Sequence, residues 1–156
     1  MKKKTKIVFS IYILAGILCG ILIKLFLFDV LKVHGTSMEP LIKNNDSVLV
    51  CKFIYHIRKP RAGEIVIYKH KGNLVVKRCV ATEFTPLEFS QDSGYTLDVA
   101  GRKIPLTEYQ FHKLNGVQQV PENTVLLIGD NVSNSVDSRD YGFVSANEIL
   151  GKVLSR

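Results

Sequence analysis

A long run of apolar residues opens the chain, just after a short lysine-rich stretch. Residues 7–23 contain no charged side chain, Lys24 interrupts the run, and residues 25–28 continue it up to Asp29. As an α-helix, residues 7–28 would be about 33 Å long, enough to cross a hydrocarbon core of about 30 Å, and the long side chain of Lys24 can place its ammonium at the interface. The pattern therefore predicts a membrane-spanning helix over residues 7–28.

A cleaved secretory signal peptide would share the basic start and the apolar run. Such peptides end in small residues before their cleavage point, whereas this run ends in Leu-Phe-Leu-Phe and no Ala-x-Ala-like stretch follows. We therefore expect an uncleaved anchor. Because lysines precede the helix, residues 1–6 are predicted to form a cytoplasmic tail and residues 29–156 an extracytoplasmic domain.

Beyond residue 30 the pattern changes to short runs of β-branched and aromatic residues separated by turn residues. These runs predict strands at residues 46–53, 64–68, 73–81, 95–99, 103–106 and 123–128. Short Gly-containing linkers join the second run to the third and the fourth to the fifth, which predicts two hairpins. Residues 145–148 fit a helix capping box, but residues 149–154 read equally well as a closing strand, and the pattern leaves both open. Many short strands with Gly and Pro turns predict a mainly-β domain, either a barrel or a sandwich.

Charge is distributed unevenly along the chain. Of the 21 Lys and Arg, five lie in the first 24 residues, where there is no Asp or Glu, and the rest of the chain holds 16 Lys and Arg against 14 Asp and Glu. The folded part shows no basic face or aromatic-interleaved patch, so a nucleic-acid partner is not expected. The length of 156 residues leaves room for one compact domain beside the helix.

The chain has three cysteines, Cys19, Cys51 and Cys79, which are too few and too odd in number for a disulfide framework. No Cys-x-x-Cys motif or His/Cys cluster has metal-ligand spacing, so neither a metal nor a cofactor is expected. We interpret the cysteines as small core residues, while a Cys51–Cys79 bridge stays open.

Two residues stand out as candidates for chemistry. Ser37 lies in a turn-prone stretch, residues 35–40, soon after the predicted helix. Lys77 lies inside an apolar strand, where period-two alternation places it on the same face as Cys79 and opposite Arg78. One of these two adjacent cations must therefore leave solvent or find a partner. An inward Lys77 would have a lowered pKa, because burial disfavours the charged ammonium.

A neutral lysine amine can accept the proton of a serine hydroxyl, which is too weak a nucleophile alone. The alternative is an ordinary lysine on the solvated face of an edge strand. Histidine is the commoner partner of a nucleophilic serine. Of His34, His56, His70 and His112, none lies in an evident active-site context, although His34 precedes Ser37 by three residues. We therefore favour a Ser–Lys pair over a Ser–His dyad.

The chain resembles the type I signal peptidase family of bacteria in four stretches, which follow the predicted helix in the family's order. These stretches are Ser37-Met38-Glu39-Pro40, similar to the serine box; residues 60–68, similar to the strand box; Val76-Lys77-Arg78, similar to the lysine box; and Gly129-Asp130-Asn131 with Ser135, Asp137, Ser138 and Arg139, similar to the last box. Four ordered motifs behind one helix are far more specific than any one of them.

The resemblance implies a serine endopeptidase in which Ser37 is the nucleophile and Lys77 the general base. Ser135 would hydrogen-bond the lysine amine and orient it, and the backbone N–H of Ser37 would stabilise the oxyanion. Two structural ion pairs are also implied, Asp137–Arg139 and Asp130–Arg78.

The same resemblance implies the setting of the reaction. The fold would be a single transmembrane helix followed by a β-barrel or sandwich catalytic domain, with a core like that of the LexA-type repressors. The substrate would be the signal peptide of a secreted preprotein, bound as an added strand and cut after a small residue in an Ala-x-Ala-like pattern. The protein would be a monomer of the bacterial plasma membrane, in contact with the lipid bilayer and independent of cofactors.

Three positions depart from the family's pattern. Leu41 stands where threonine is usual and Val132 where arginine is frequent. Gly35 stands where some members place a hydroxyl in the oxyanion hole, so the N–H of Ser37 would have to supply most of that stabilisation. Residues 83–120 match the family weakly. The alternative is a non-catalytic, membrane-anchored relative that assists the assembly of surface proteins or pili, which would be expected to lack the nucleophile or the base.

Overall fold

The structure is a computed structural model that describes residues 2–92 and 94–155, with side chains from residue 7 onward. Its first element, α1, covers Lys2–Leu27, and within it Ile7–Leu27 is long and apolar enough to span a membrane by length and composition. None of this segment is buried inside the protein. The helix ends one residue before the predicted boundary because Phe28 already belongs to a strand and pairs with Cys51.

The rest of the chain is built mainly from strands, which confirms the predicted fold class. In chain order the strands are β1 (Phe28–Lys32), β2 (Ser47–Cys51), β3 (Ile65–His70), β4 (Asn73–Thr82), β5 (Glu88–Ser90), β6 (Thr96–Val99), β7 (Arg102–Pro105), β8 (Thr124–Ile128), β9 (Val144–Ser145) and β10 (Ile149–Ser155). Three short helices, which were not predicted, are α2 (Ile54–Ile57), α3 (Glu108–Leu114) and α4 (Ser138–Tyr141).

Seven strands form one antiparallel sheet in the order β1-β2-β10-β3-β4-β8-β9, and β5, β6 and β7 form a second, smaller sheet. The last strand of the chain, β10, thus lies in the interior of the large sheet, between β2 and β3. Strands β1 and β9 are the edges of the large sheet. Its pairing is that of an open sheet, so closure into a barrel is not confirmed.

Both predicted hairpins are confirmed. Strands β3 and β4 pair through the turn residues Lys71 and Gly72, with φ of 47° and 86°, and β6 and β7 pair through Ala100 and Gly101, with φ of 52° and 82°. Positive φ at both turn residues belongs to the type I′ turn, whose twist matches that of the strands it joins.

The alternative left open for residues 145–148 is resolved by a combination of the two. Ser145 accepts a hydrogen bond from the N–H of Asn147 and starts a single 3₁₀ turn, Ala146–Glu148. Strand β10 follows at once. The capping signal therefore marks a single 3₁₀ turn, and the residues after it form the predicted closing strand.

The apolar core lies on both faces of the large sheet. Along β8, Leu126 and Ile128 pack in a cluster with the small sheet, whereas Val125 and Leu127 pack in a second cluster with β3 and β4. A third cluster surrounds Met38, one of the most buried side chains of the protein, and fixes the segment that follows β1.

All three cysteines are free thiols, so the Cys51–Cys79 bridge does not form. Cys79 is buried in the sheet and Cys51 is partly buried, whereas Cys19 is exposed on α1. The interpretation as core residues is confirmed for Cys79 and wrong for Cys19.

Candidate active site

Lys77 is an inward-facing residue of β4. Burial alternates along this strand, so that Lys77 and Cys79 are buried while the intervening Arg78 is partly exposed. The Lys77 side chain is 3% exposed. Burial lowers the pKa of Lys77 below its usual 10.5; the charge of Asp137 opposes this effect, and the charge of Arg139 adds to it. Of the two adjacent cations, Lys77 is therefore the inward one, a choice that the alternation by itself left open.

The Lys77 amine lies against the hydroxyl of Ser37, with 2.6 Å between Nζ and Oγ. Ser37 is in the turn that follows β1, and its neighbour Met38 is buried in the core and fixes that turn. A charged amine donates its proton in this contact, and a neutral amine accepts the proton of the hydroxyl. The distance is short enough for direct proton transfer between the two groups.

The loop after β8 holds the backbone around Ser37. The N–H of Asn131 donates to the carbonyl oxygen of Ser37 at 3.0 Å, and the Asn131 side chain donates to the carbonyl oxygen of Thr36 at 3.2 Å. The Asn134 side chain donates to the Thr36 hydroxyl at 2.5 Å. The sequence pattern gave no signal for these roles of Asn131 and Asn134, although Asn131 belongs to the Gly-Asp-Asn motif.

Gly129 permits this close approach of the loop. A Cβ at this position would lie 2.3 Å from the Oγ of Ser135 and 2.5 Å from the carbonyl oxygen of Ser37. Such distances are far below van der Waals contact, so only glycine fits here without displacing the nucleophile's backbone.

Asp137 is a fully buried carboxylate behind the pair, with 0% exposure. It accepts hydrogen bonds from the Arg139 guanidinium at 2.9 Å, the Ser135 hydroxyl at 2.6 Å and the Gly129 N–H at 3.0 Å. Burial alone would raise the pKa of Asp137, but these hydrogen bonds outweigh it and the net pKa is lowered. Arg139, 3% exposed, completes a buried ion pair, so the structure contains the pair that was implied.

The second implied ion pair is also present. The Arg78 guanidinium donates from Nε and Nη2 to the two carboxylate oxygens of Asp130, each at 2.7 Å. Its third nitrogen donates to the carbonyl oxygen of Gly63 at 2.8 Å. Arg78 therefore joins β4, the loop after β8 and the turn before β3.

Ser135 lies in this cluster, but its hydroxyl donates to Asp137. No hydrogen bond within the described residues joins it to the Lys77 amine. The direct orienting contact that the resemblance implies is thus not seen in the structure. The role of Ser135 in orienting Lys77 stays a prediction.

No hydrogen bond of the described residues joins Ser37 to a histidine. His34 lines a cleft that opens beside Ser37, whereas His56 and His112 belong to α2 and α3 and His70 ends β3. Among the described residues, no group of three or more His, Cys, Asp and Glu could hold a metal ion.

A cleft of about 470 Å³ opens beside the Ser37 hydroxyl. One wall is the end of β1 and the segment after it, and the other is the first half of β4. Strand β1 pairs with β2 alone, and β4 pairs with β8 only from Arg78 onward. Both walls therefore present free strand edges to the cleft.

Comparison with known proteins identifies the family. The family model described as "Signal peptidase, peptidase S26" matches residues 4–156. The chain is 29% identical over 157 residues to the probable signal peptidase I-2 of Synechocystis sp., covering 90% of this chain and 68% of that protein. It is 30% identical over 161 residues to signal peptidase I U of Bacillus subtilis, covering 96% of this chain and 85% of that protein. A solved structure of a signal peptidase I from Enterococcus faecalis aligns with a TM-score of 0.45 at 26% identity, covering 64% of this chain and 99% of that one. By the extent of the family match, the chain belongs to the signal peptidase family, peptidase S26, a family of serine endopeptidases.

Proposed function

We propose that the chain cleaves signal peptides from preproteins with Ser37 as nucleophile and Lys77 as general base. Family membership makes it a serine endopeptidase of the signal peptidase I type. The observation that supports the assignment of the two residues is the 2.6 Å contact between Nζ and Oγ, made by an amine that is almost completely buried.

The chemistry follows from the protonation state of Lys77. Its lowered pKa increases the fraction of neutral amine at neutral pH, and a neutral amine accepts the hydroxyl proton as Oγ attacks the scissile carbonyl. The resulting ammonium then returns the proton to the departing amine of the product. A water molecule, activated by the same amine, hydrolyses the acyl-enzyme and frees Ser37.

The backbone N–H of Ser37 is available to stabilise the oxyanion. No backbone hydrogen bond of the described residues uses it as a donor, whereas the N–H of Gly35 already donates to the Asn44 side chain at 3.0 Å. A single oxyanion donor contributes about 3 kcal/mol to transition-state stabilisation.

The free strand edges of the cleft support an extended substrate. A peptide lying between β1 and β4 can pair its own N–H and C=O groups with both edges, as an added strand. Its small side chains before the cut would point toward the wall formed by residues such as Val33 and Val76. This arrangement fits cleavage after a small residue in an Ala-x-Ala-like pattern.

The helix α1 would hold the enzyme as a monomer in the bacterial plasma membrane. The lysines at residues 2–6 favour a cytoplasmic N-terminus, which puts residues 29–156 outside. Ser37 follows Phe28 by nine residues, so it can lie at most about 30 Å from the end of the membrane segment. A substrate whose apolar part stays in the bilayer can reach the hydroxyl.

The test is cleavage of detergent-solubilised preproteins by the full-length chain. Wild type should cut after a small residue, while Ser37→Ala and Lys77→Ala should lose at least about 10²-fold in rate. Lys69→Ala, an exposed lysine of the neighbouring strand, is the matched control and should retain full activity. Near-full activity of Lys77→Ala would show that Lys77 is not the general base. Activity of Ser37→Ala would show that Ser37 is not the nucleophile. A wild type that cuts nothing would favour the non-catalytic assembly factor, which the presence of both groups in contact argues against.

A further inference from the structure

The cleft extends well beyond the Ser37–Lys77 pair, and the ionisable side chains that line it are all basic. Its titratable lining residues are Lys32, His34 and Lys77, and no Asp or Glu lines it. Lys77 is buried at the reaction end, whereas Lys32 is exposed at the rim. The far part of the cleft therefore offers a cation to its occupant.

The two walls of the cleft run in the same direction. Successive antiparallel pairing across β1, β2, β10, β3 and β4 makes β1 parallel to β4. Lys32 precedes Ser37 by five residues, and Asn73 precedes Lys77 by four. At about 3.3 Å per residue of extended chain, the far end of the cleft lies at most about 13–16 Å from the reacting groups. An extended peptide covers that distance in four to five residues.

With α1 in the membrane, as proposed above, the far end of the cleft is the end closer to the bilayer along the chain. Strand β1 begins directly after α1, and Lys32, its last residue, lies between the end of α1 and Ser37. A client held in the bilayer by its apolar segment enters the cleft from that side. An extended client in this orientation would place its fourth or fifth residue before the cleaved bond beside Lys32.

Lys32 makes no ion pair within the part of the chain that the structure describes. Other lysines of the domain do: Lys59 pairs with Glu83, and Lys152 pairs with Glu64. The ammonium of Lys32 thus has no carboxylate of its own to compete with a ligand.

We propose that Lys32 selects client peptides that carry a carboxylate at the fourth or fifth residue before the cleaved bond. This inference rests on the proposed peptidase function and adds the class of client. The distance matters, because a carboxylate beside Lys77 would favour its charged form and remove the base. A separation of four to five residues lessens that effect, because the attraction between two charges falls as the distance between them grows.

The experiment measures kcat/KM of the full-length enzyme in detergent on matched peptides. The peptides share a signal-peptide cleavage sequence and differ only in carrying Asp, Asn or Lys at the fourth, and then at the fifth, residue before the cut. At one of these positions, wild type should cleave the Asp peptide about two- to five-fold faster than the Asn peptide, and the Lys peptide more slowly still, as expected for an exposed ion pair. The preference should appear in KM and weaken at high salt.

A charge reversal separates recognition from a structural effect. Lys32→Glu should invert the order, so that the Lys peptide becomes the best substrate. Lys103→Glu, an exposed lysine in β7, should leave the wild-type order unchanged. Equal rates for the three peptides at both positions, or an order that Lys32→Glu does not change, would overturn the role of Lys32 while leaving the peptidase function intact. Failure of wild type to cleave any peptide would overturn the proposed function and this inference with it.

Discussion

At the scale of single residues, the site depends on an amine that is kept in a medium unfavourable to its charge. Lys77 is surrounded by the sheet, and its pKa is lowered chiefly by burial. The nearby Asp137 would restore the charge, but it is already neutralised by Arg139 and hydrogen-bonded by Ser135. The ion pair behind the site therefore limits how strongly Asp137 can stabilise the ammonium.

Replacing Lys77 by methionine is expected to abolish activity and to stabilise the fold at neutral pH. The pKa of Lys77 is lower in the folded state than the usual 10.5, so the unfolded state binds more protons between these two values. The stability of wild type therefore falls as the pH decreases from about 10.5 toward the folded pKa. Lys77→Met removes this cost, so its thermal midpoint should exceed that of wild type at pH 7 and approach it at higher pH.

Thermal denaturation of the full-length variants at several pH values checks this expectation. Lys69→Met, which replaces an exposed lysine of β3, is the control and should show no such gain. A Lys77→Met protein that is no more stable than wild type at pH 7 would argue that the Lys77 amine is solvated.

A methyl group at Gly129 is expected to impair catalysis. Gly129→Ala places a Cβ within 2.5 Å of the Ser37 carbonyl oxygen, so the loop or the nucleophile must move. A displacement of about 1 Å at a reacting group can cost about 10²-fold in rate. Cleavage assays should show a loss of that order, whereas Gly116→Ala, where no atom lies within 4 Å of the new Cβ, should retain its activity. Wild-type rates for Gly129→Ala would show that the loop after β8 can shift to accommodate the methyl group without moving Ser37.

At the scale of elements, the short helices and loops around the site are joined by capping interactions. Thr107 and Gln110 form a capping box at the start of α3, and Asp137 and Asp140 form one at the start of α4. The Gln110 side chain also donates to Asp140 at 2.8 Å, so the two boxes are linked. The start of α4, where the Asp137–Arg139 pair lies, is thereby joined to the start of α3.

Asp137→Asn is expected to destabilise the protein by about 3–5 kcal/mol, because it leaves the buried Arg139 charge without its partner. The folded pKa of Asp137 lies below the usual 3.8, so the stability it contributes is present above that pH and is lost as the pH falls below it. Urea unfolding at pH 7 and pH 3 should show a smaller difference for the variant than for wild type. Glu122→Gln, at an exposed position, serves as the control. An unchanged unfolding midpoint for Asp137→Asn would contradict a structural role for the pair.

At the scale of the whole molecule, a second charged cluster joins parts of the chain that are distant in sequence. Glu64, which precedes β3, accepts hydrogen bonds from Arg58 and Tyr55 of the α2 region and from Lys152 of β10. Burial alone would raise the pKa of Glu64, but these donors outweigh it and lower the pKa to about 2. The cluster thus connects the middle of the chain to its last strand.

Glu64→Gln should therefore cost about 3 kcal/mol of stability at pH 7, the equivalent of a pKa lowered from 4.5 to about 2. In wild type this contribution is present above about pH 4.5 and is lost as the pH falls toward 2. Chemical denaturation as a function of pH should show that dependence in wild type and not in Glu64→Gln. The exposed Glu88→Gln is the matched control. Wild-type stability of Glu64→Gln at pH 7 would show that solvent screens the charges of the cluster, so that they do not stabilise the fold.

Much of the fold could be predicted because its signals are local. The hairpins depend on turn residues and alternation within a few positions, and the opposite orientations of Lys77 and Arg78 follow from their adjacent positions in one strand. The helix α3 was missed although the Thr107–Gln110 capping box is visible in the sequence, because its seven residues, with Phe111 and Leu114 as the buried apolar pair, are too few to show a helical period. The edge strand β1 was missed because the apolar run of the preceding helix continues into Phe28.

The sequence by itself determined an apolar membrane-length helix, a mainly-β domain and a strand in which Lys77 and Arg78 lie on opposite faces. Only the tertiary structure decided that this lysine meets Ser37, 40 positions away, at 2.6 Å, and that Ser135 donates to Asp137. It also decided that β10 lies between β2 and β3 and that two free strand edges face each other across a cleft. The physical reason is range: alternation and turn chemistry are set by neighbouring residues, whereas contacts between distant segments depend on how the whole sheet packs and pairs.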